Sequence, residues 1–394
     1  RSSPANRRTD LGCSAERRGA GILVHSPLSE NSMMLCFSRK QPARAVSAKT
    51  GFAPSTSPPD RHLGERGSIL IVVLWWLIIL AVMAVALFSI IQPRLGLAGV
   101  LKDHSTGYYL ARAGMEVGMA VIEDDPTPGF DALNQPWSTN ENAFRDIRLG
   151  DGRMSVFHDV AAADSDGDPV RLYGLTDEQS KLNINKASRE LLETFLENAT
   201  DLPSLETRTM AASVVDWRDE NEEPEEDGAE DGYYSMRTPP YPCKDSAFQR
   251  LEELLLVKGF SYDTFAIIGD EITVHGTGPV NINTVSADLL RHLGLGDALV
   301  GRIMRYRAGM DGLPGTPDDG VFERTGDIAE TLDDAFGLAN DEMRELRRII
   351  RQVPLTVRSN IFRGTAAGKL DKSAKGVHIT FVFDRAGNVL EWRE

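Results

Sequence analysis

The sequence predicts an α+β protein carried on one long N-terminal transmembrane helix. Three observations predict it: an uncharged run from Ile69 to Ile91, a central block of helix-like segments, and strand-like alternation on both sides of that block. With 394 residues, 41% of them hydrophobic, there is material for the anchor and for one or two packed domains. Residues 1–67 carry 11 Lys/Arg against 5 Asp/Glu; since the whole chain is −15, the rest is −21. So acidic a surface repels nucleic acid and attracts cations. Of the three cysteines, Cys13 and Cys36 precede the anchor and Cys243 follows it, so the part beyond the anchor holds no disulfide framework of its own.

Residues 1–66 are rich in Arg, Ser and Pro and show no sustained apolar period; with Gly67 they read as a leader or disordered extension, 1–67. The span is expected at 68–92. About 20 apolar residues at about 1.5 Å each cross the roughly 30 Å hydrocarbon layer. Arg61 and Arg66 precede the run, which places the N-terminus in the cytoplasm and the C-terminal bulk outside. A secretory signal peptide is the competing element, but the run is long and no small-x-small site follows before Gln92-Pro93-Arg94.

Beyond Pro93 a helical pattern resumes, with Leu110, Ala113, Val117, Ala120 and Val121 on one face and Asp124-Asp125-Pro126 as its end. Ile147 to Val160 reads as a hairpin turning at Asp151-Gly152, with Met154, Val156 and His158 alternating. Val170 to Ile184 reads as a second strand, turn and strand. Residues 93–180 are thus expected to supply a helix and the first strands. Two segments then resemble each other: Leu182-Asn183-Ile184-Asn185-Lys186-Ala187-Ser188 and Val280-Asn281-Ile282-Asn283-Thr284-Val285-Ser286, each followed by a Leu-Leu pair. Each reads as a short strand passing through an Asn into a helix, with Asn185 and Asn283 as N-cap candidates. Helices are expected at 187–196, 205–217, 248–256, 287–293, 299–307 and 341–352, so 181–352 forms a helical block. In the tail, 353–394, Val377, Ile379, Phe381 and Phe383 alternate before a turn at Ala386-Gly387-Asn388 and a return through Val389-Leu390-Glu391-Trp392.

Gly67, Ser68 and the apolar helix that follows resemble the processing site of type IV prepilins. A small residue suits cleavage of an extended segment. The resemblance implies cleavage after Gly67 by prepilin peptidase and N-methylation of Ser68. Most members of that class carry Glu at the fifth mature position, where this chain has Val72. A carboxylate in the bilayer is costly unless paired, and in a pilus it pairs with the terminal ammonium of the neighbouring subunit. Val72 cannot make that pair, which fits a subunit at the end of the fibre.

The acidic segment runs Asp216-Trp217-Arg218-Asp219-Glu220-Asn221-Glu222-Glu223-Pro224, then Gly228-Ala229-Glu230-Asp231-Gly232-Tyr233-Tyr234. Its pattern of Asp-Trp-x-Asp, acidic run, Gly-Ala-Glu and Tyr-Tyr is similar to that of the minor pseudopilin K family of type II secretion systems. Leu251-Glu252-Glu253-Leu254-Leu255-Leu256-Val257-Lys258-Gly259, Ser359-Asn360-Ile361-Phe362 and Val389-Leu390-Glu391-Trp392 follow in the family's order, so the resemblance covers Gly67 to Glu394. It implies a pilin-like, strand-rich domain with a large inserted helical domain. It also implies a non-enzymatic minor pseudopilin capping the tip of the pseudopilus. The implied location is the bacterial inner membrane, single-pass, with the C-terminal domain in the periplasm. The implied partners are minor pseudopilins I and J, other pseudopilins and the inner-membrane assembly platform. The implied cofactor is calcium, for which Asp219, Glu230 and Asp231 are the candidate ligands; so many carboxylates in one stretch are either solvated or neutralised by a hard cation. The chain departs from the family in its long extension, in the lone Cys243 where a disulfide is common, and in Asn221.

Two further acidic loops, Asp164-Ser165-Asp166-Gly167-Asp168 and Asp311 to Gly320, read as plain turns or as cation loops. The first opens like an EF-hand but has Leu175 where the twelfth-position Glu belongs. A rival reading rests on Leu293-Gly294-Leu295-Gly296-Asp297 with Arg302, Arg305 and Arg307, which resembles the helix-hairpin-helix of membrane-anchored, DNA-binding competence proteins. The acidity of the anchored domain opposes it, and no nucleic acid is expected. No enzyme is expected either: Cys243 has no His partner in the pattern, and His158, His275, His292 and His378 show no metal spacing.

Overall fold

The structure is a computed structural model that describes residues 68–160, 170–373 and 375–394. Gly67 and the Asp164–Asp168 loop lie outside the described residues. The elements run α1 (Ser68–Glu123), α2 (Glu141–Phe144), β1 (Ile147–Leu149), β2 (Gly152–Val160), β3 (Val170–Leu172), β4 (Thr176–Asp177), β5 (Leu182–Asn183), α3 (Arg189–Ala199), α4 (Ser204–Arg218), α5 (Asp231–Tyr234), α6 (Tyr262–Ile268), β6 (Ile272–Thr273), β7 (Val280–Asn281), α7 (Ala287–His292), α8 (Asp297–Arg307), α9 (Ile328–Phe336), α10 (Asn340–Gln352), β8 (Leu355–Thr356), β9 (Ile361–Leu370), β10 (Val377–Asp384) and β11 (Val389–Arg393). Within α1, Ile69–Ile91 is long and apolar enough to cross a membrane, with mean hydropathy 3.1 and none of it buried. Val72 is exposed in this stretch.

An antiparallel sheet, ordered β1-β2-β9-β10-β11 with β3 on β2 and β4 on β9, takes strands from both ends of the soluble chain. The second half of α1 lies against it. Ala111, Met115 and Ile122 pack on Val156, Phe362, Ala366, Ile379, Phe381 and Phe383. The approach is close because the touching residues are small: a Cβ on Gly368 would sit 2.0 Å from the carbonyl oxygen of Gly107 and 2.4 Å from the amide nitrogen of Ala111. This is why β9, the longest strand, reads Ile-Phe-Arg-Gly-Thr-Ala-Ala-Gly-Lys-Leu and gives no alternating apolar signal. The first hairpin turns on Gly150-Asp151, one residue earlier than the sequence indicates, because Gly150 supplies the positive φ of 59°.

Between β4 and β9 the chain builds a second core from residues 182–357, which includes Leu182, Phe195, Trp217, Leu254, Leu289, Ile303 and Leu346. The two similar segments are the frame of this block. β5 pairs in parallel with β6, and β7 with β8. The N-caps are Ser188 and Ser286, whose hydroxyls accept from the Leu191 and Leu289 N–H groups. Asn185 and Asn283 are not caps. Each amide side chain bonds a distant backbone in both directions: Asn185 donates to Phe248 O and accepts from Phe248 N–H, and Asn283 does the same with Phe322. In each copy an arginine follows from the helical side. Arg218 donates to Ile184 O and Ala187 O, and Arg307 donates to Ile282 O and Val285 O. The Asn185 side chain takes both the N–H and the C=O of Phe248, and Arg250 is extended, so the expected helix at 248–256 shrinks to a 3₁₀ turn at Leu251–Leu256. Two helices were not legible as such. α6 is short and opens at the Ser261 cap, and α9 ends at Gly337 with φ 63°.

One buried polar network ties the block to the sheet. Asp177 Oδ2 accepts from Ser359 Oγ (2.5 Å), Thr284 Oγ1 (2.5 Å) and Asn281 Nδ2 (3.0 Å), and its Oδ1 accepts from Gln179 N–H. Asp131 accepts from Ser359 N–H (2.7 Å) and pairs with Arg385. Glu178 is buried between Arg363 on β9 (2.8 Å) and Thr273 on β6 (2.8 Å). The chain therefore leaves the sheet at Asp177 and returns at Ser359 through the same carboxylate.

Candidate metal centre

The acidic segment begins at the end of α4. Trp217 is buried on Tyr234 (ring centroids 5.2 Å apart), Tyr241 and Phe248, which seats this end of the helix on an aromatic floor. Asp216, one residue earlier, is fully buried and organises the loop. Its Oδ1 accepts from Glu225 N–H (3.0 Å) and its Oδ2 from Ala229 N–H (2.6 Å). Position 228 must be glycine for this: a Cβ there would lie 1.9 Å from Asp216 Oδ2. The next turn is closed by Asp231 Oδ1, which accepts from Cys243 N–H at 2.6 Å.

These two closures bring Glu230, Cys243 and Asp245 together, with one donor atom from each within 4.8 Å of the others. Glu230 is only 6% exposed. Its Oε1 and the Oδ1 of Asp245 are buried without a hydrogen-bond partner. Burial, with the charges of Asp216, Asp245 and Asp219, pushes the Glu230 carboxyl up to about 7 despite the Cys243 hydrogen bond. Asp219 and Asp216 are raised as well, chiefly by burial; Glu225 and Asp245 act on Asp219, and Asp219 and Glu225 act on Asp216. Buried carboxylate oxygens normally find a donor. Here the unmet demand is for positive charge, so the residues fit a cation.

Of the three ligands expected from sequence, Glu230 stands in this cluster. Asp219 stands at its edge, partly exposed, and accepts from Asn221 N–H at 3.3 Å. Asp231 holds the Cys243 amide and is exposed, so it shapes the loop. Sequence reading missed Cys243 and Asp245. No ligand spacing links them to Glu230; only the loop closure by Asp231 does.

The other acidic loop, Asp311 to Gly320, satisfies its own carboxylates. Asp318 Oδ2 accepts from Met310 N–H (2.7 Å) and Asp311 N–H (3.2 Å), and Asp319 Oδ2 from Gly315 N–H (2.7 Å). It reads as a turn. The helix-hairpin-helix segment forms α7, a turn and α8, but its hairpin amide is covered. Gly296 N–H donates to Glu345 Oε1 at 2.6 Å, Arg302 pairs with Glu342 at 2.9 Å, and Arg307 is buried on backbone carbonyls. A phosphate there would meet the chain's own carboxylate.

Comparison with known proteins converges on one family. Residues 171–275 match the family described as type II secretion system (T2SS), protein K. Over 242 residues the chain is 26% identical to type II secretion system protein K of Pseudomonas aeruginosa, covering 58% of this chain and 67% of the relative. Its fold is similar to a chain of the GspK-GspI-GspJ complex from the type 2 secretion system of enterotoxigenic Escherichia coli, with TM-score 0.56 and 16% identity over 75% of this chain and 98% of that one. The family model and the curated relative agree with the resemblance carried by the order of motifs, and the solved structure agrees in fold: the chain is similar to type II secretion system protein K.

Proposed function

We propose that this chain is a non-enzymatic minor pseudopilin that caps the tip of a type II secretion pseudopilus and supports protein export across the outer membrane. The observation that carries this reading is the joint one of fold and anchor. An apolar helix continues into a sheet that carries a large helical insert, and the fifth position of the mature anchor is Val72. A subunit without a carboxylate there has no use for a neighbour's terminal ammonium above it, and the bulk of residues 182–357 hinders addition of another subunit. Prepilin peptidase cleaves after Gly67 and methylates Ser68. The protein sits in the bacterial inner membrane with its C-terminal bulk in the periplasm and meets minor pseudopilins I and J along α1. Other pseudopilins and the assembly platform complete its surroundings.

Calcium belongs to this reading as a structural ion. It would be held by Glu230 and Asp245 with Asp219 at the edge, and when bound it neutralises carboxylates that otherwise repel one another. The test is the N-terminal peptide mass of the protein from membranes of a cell with active prepilin peptidase, followed by co-purification with types I and J. N-methylated Ser68 and recovery of both partners are expected. A retained leader, or cleavage beyond Ile91, overturns the reading.

A further inference from the structure

Helix α10 sorts its charges by face. Its two glutamates are half-buried and used within the insert: Glu342 pairs with Arg302 at 2.9 Å, and Glu345 accepts from Gly296 N–H at 2.6 Å. Leu346 and Ile349 are buried in the core. Arg344, Arg347, Arg348 and Arg351 are exposed. Their i, i+3, i+4, i+7 spacing puts all four on one side of the helix. Arg348 donates to Gln352 Oε1 at 3.2 Å and to Gly294 O at 3.4 Å. Among the described residues, none of the four pairs with a carboxylate. Like charges at these spacings repel and weaken a helix. Attraction to the negative end of the helix dipole is confined to the last turn, so it accounts for Arg351 and not for Arg344 or Arg347. A face of one sign, standing on a part of the chain that carries −21, is complementary to an acidic partner.

A groove of about 310 Å³ adjoins this face at Arg348, lined by Leu191, Leu293 and Val353, with Glu190 as its one carboxylate. We propose that the arginine face of α10 and this groove bind an acidic segment of a partner protein, its carboxylates pairing with the guanidinium groups and one apolar side chain entering the groove. Seven residues of helix advance about 10 Å, so an acidic helix with carboxylates at the same spacing meets all four arginines. Arginine suits the task because its planar fork pairs with a carboxylate through two hydrogen bonds. Other anions fit less well. Single-stranded nucleic acid needs an aromatic platform for its bases, and no aromatic residue lines the groove. A helix that lies on a lipid surface buries its apolar face there, whereas that face of α10 is buried in the insert and no large apolar residue of α10 is exposed. This surface is separate from the contacts proposed along α1 and from the acidic loop.

The test uses the full-length chain in nanodiscs of neutral lipid and a fluorescent helix-forming peptide with Glu at i, i+3, i+4 and i+7 and one Leu beside them. The comparison probes are the same peptide with Gln for Glu, a single-stranded and a duplex oligonucleotide, and vesicles containing phosphatidylglycerol. Anisotropy should report binding of the Glu peptide, none of the Gln peptide, and a loss of affinity as salt is raised. Arg344→Gln, Arg347→Gln and Arg351→Gln together should weaken the Glu peptide by about tenfold, the sum of three exposed ion pairs. Arg348 is kept because it holds Gly294 O. If the triple variant misfolds, the three single variants and a peptide with Ser in place of Leu decide the point, and each should lower the affinity. Equal affinity for the Glu and Gln peptides, or for the native chain and the variants, overturns the proposal, as does binding of no peptide. Tighter binding of an oligonucleotide or of the anionic vesicles, lost in the same variants, overturns the assignment to a protein partner.

Discussion

Two groups of buried carboxylates stand in this molecule, and they are finished differently. At the junction of sheet and insert, Asp131, Asp177 and Glu178 meet donors from their own chain: serine and threonine hydroxyls, an asparagine amide and the guanidinium groups of Arg385 and Arg363. In the acidic loop, Glu230 and Asp245 each keep a buried oxygen with no partner. Burial opposes ionisation in both places. At the junction, Lys181 and Arg363 outweigh it and hold the Glu178 carboxyl below its usual value, while in the loop neighbouring carboxylates add to it and push Glu230 up. A carboxylate buried among donors is architecture, and one buried among carboxylates is a request for a cation.

The comparison breaks most visibly at Arg363. Arg363→Met leaves Glu178 buried and charged beside Lys181 alone, and is expected to cost about 3–5 kcal/mol in urea unfolding. Glu230→Gln should do the reverse in the absence of any cation: relieving one charge of the crowd should leave stability unchanged or raise it by about 1 kcal/mol. A large loss there would mean that Glu230 is finished like Glu178.

The pH dependence sharpens the contrast at Asp177, whose pKa is raised to about 6 by burial, against the Ser359 and Thr284 hydrogen bonds. The unfolded chain ionises this group near the ordinary value of 3.8, so the folded state binds the proton more tightly. Its contribution is full below about pH 4 and is lost as pH rises through about 6, with a slope of up to about 1.4 kcal/mol per pH unit from this group. Asp177→Asn should flatten that slope in unfolding curves measured from pH 4 to 7.

A smaller effect is expected at Gly228→Ala. The methyl displaces Asp216 or the 225–229 backbone, at about 1–3 kcal/mol in thermal unfolding, and cation affinity falls with it. Smallest are the caps, where Ser188→Ala and Ser286→Ala should each cost about 1 kcal/mol.

What the sequence disclosed followed local rules. The apolar run, the hairpin at 147–160, the tail strands and most of the helices are read from periodicity, because in each the buried face belongs to one element. β9 was obscure because its glycines and alanines answer to α1, a partner about 250 residues away in the chain. Asn185 and Asn283 were misread because asparagine can cap a helix or clamp a strand, and only the positions of Phe248 and Phe322 decide between the two. At the site, the acidic run showed where a cation belongs. Two of the three clustered donors come from beyond a turn whose closure depends on one side-chain hydrogen bond, and no spacing rule encodes that.

The junction at Asp177 and Ser359 has one more consequence. A single carboxylate spans 182 positions of sequence, so the insert is a closed loop whose two feet stand side by side. The entropy of closing such a loop grows only with the logarithm of its length, about 0.6 kcal/mol for each doubling. The sheet is therefore almost indifferent to how much chain is hung between β4 and β9, so the insert can be lengthened or shortened at little cost to the sheet that carries it.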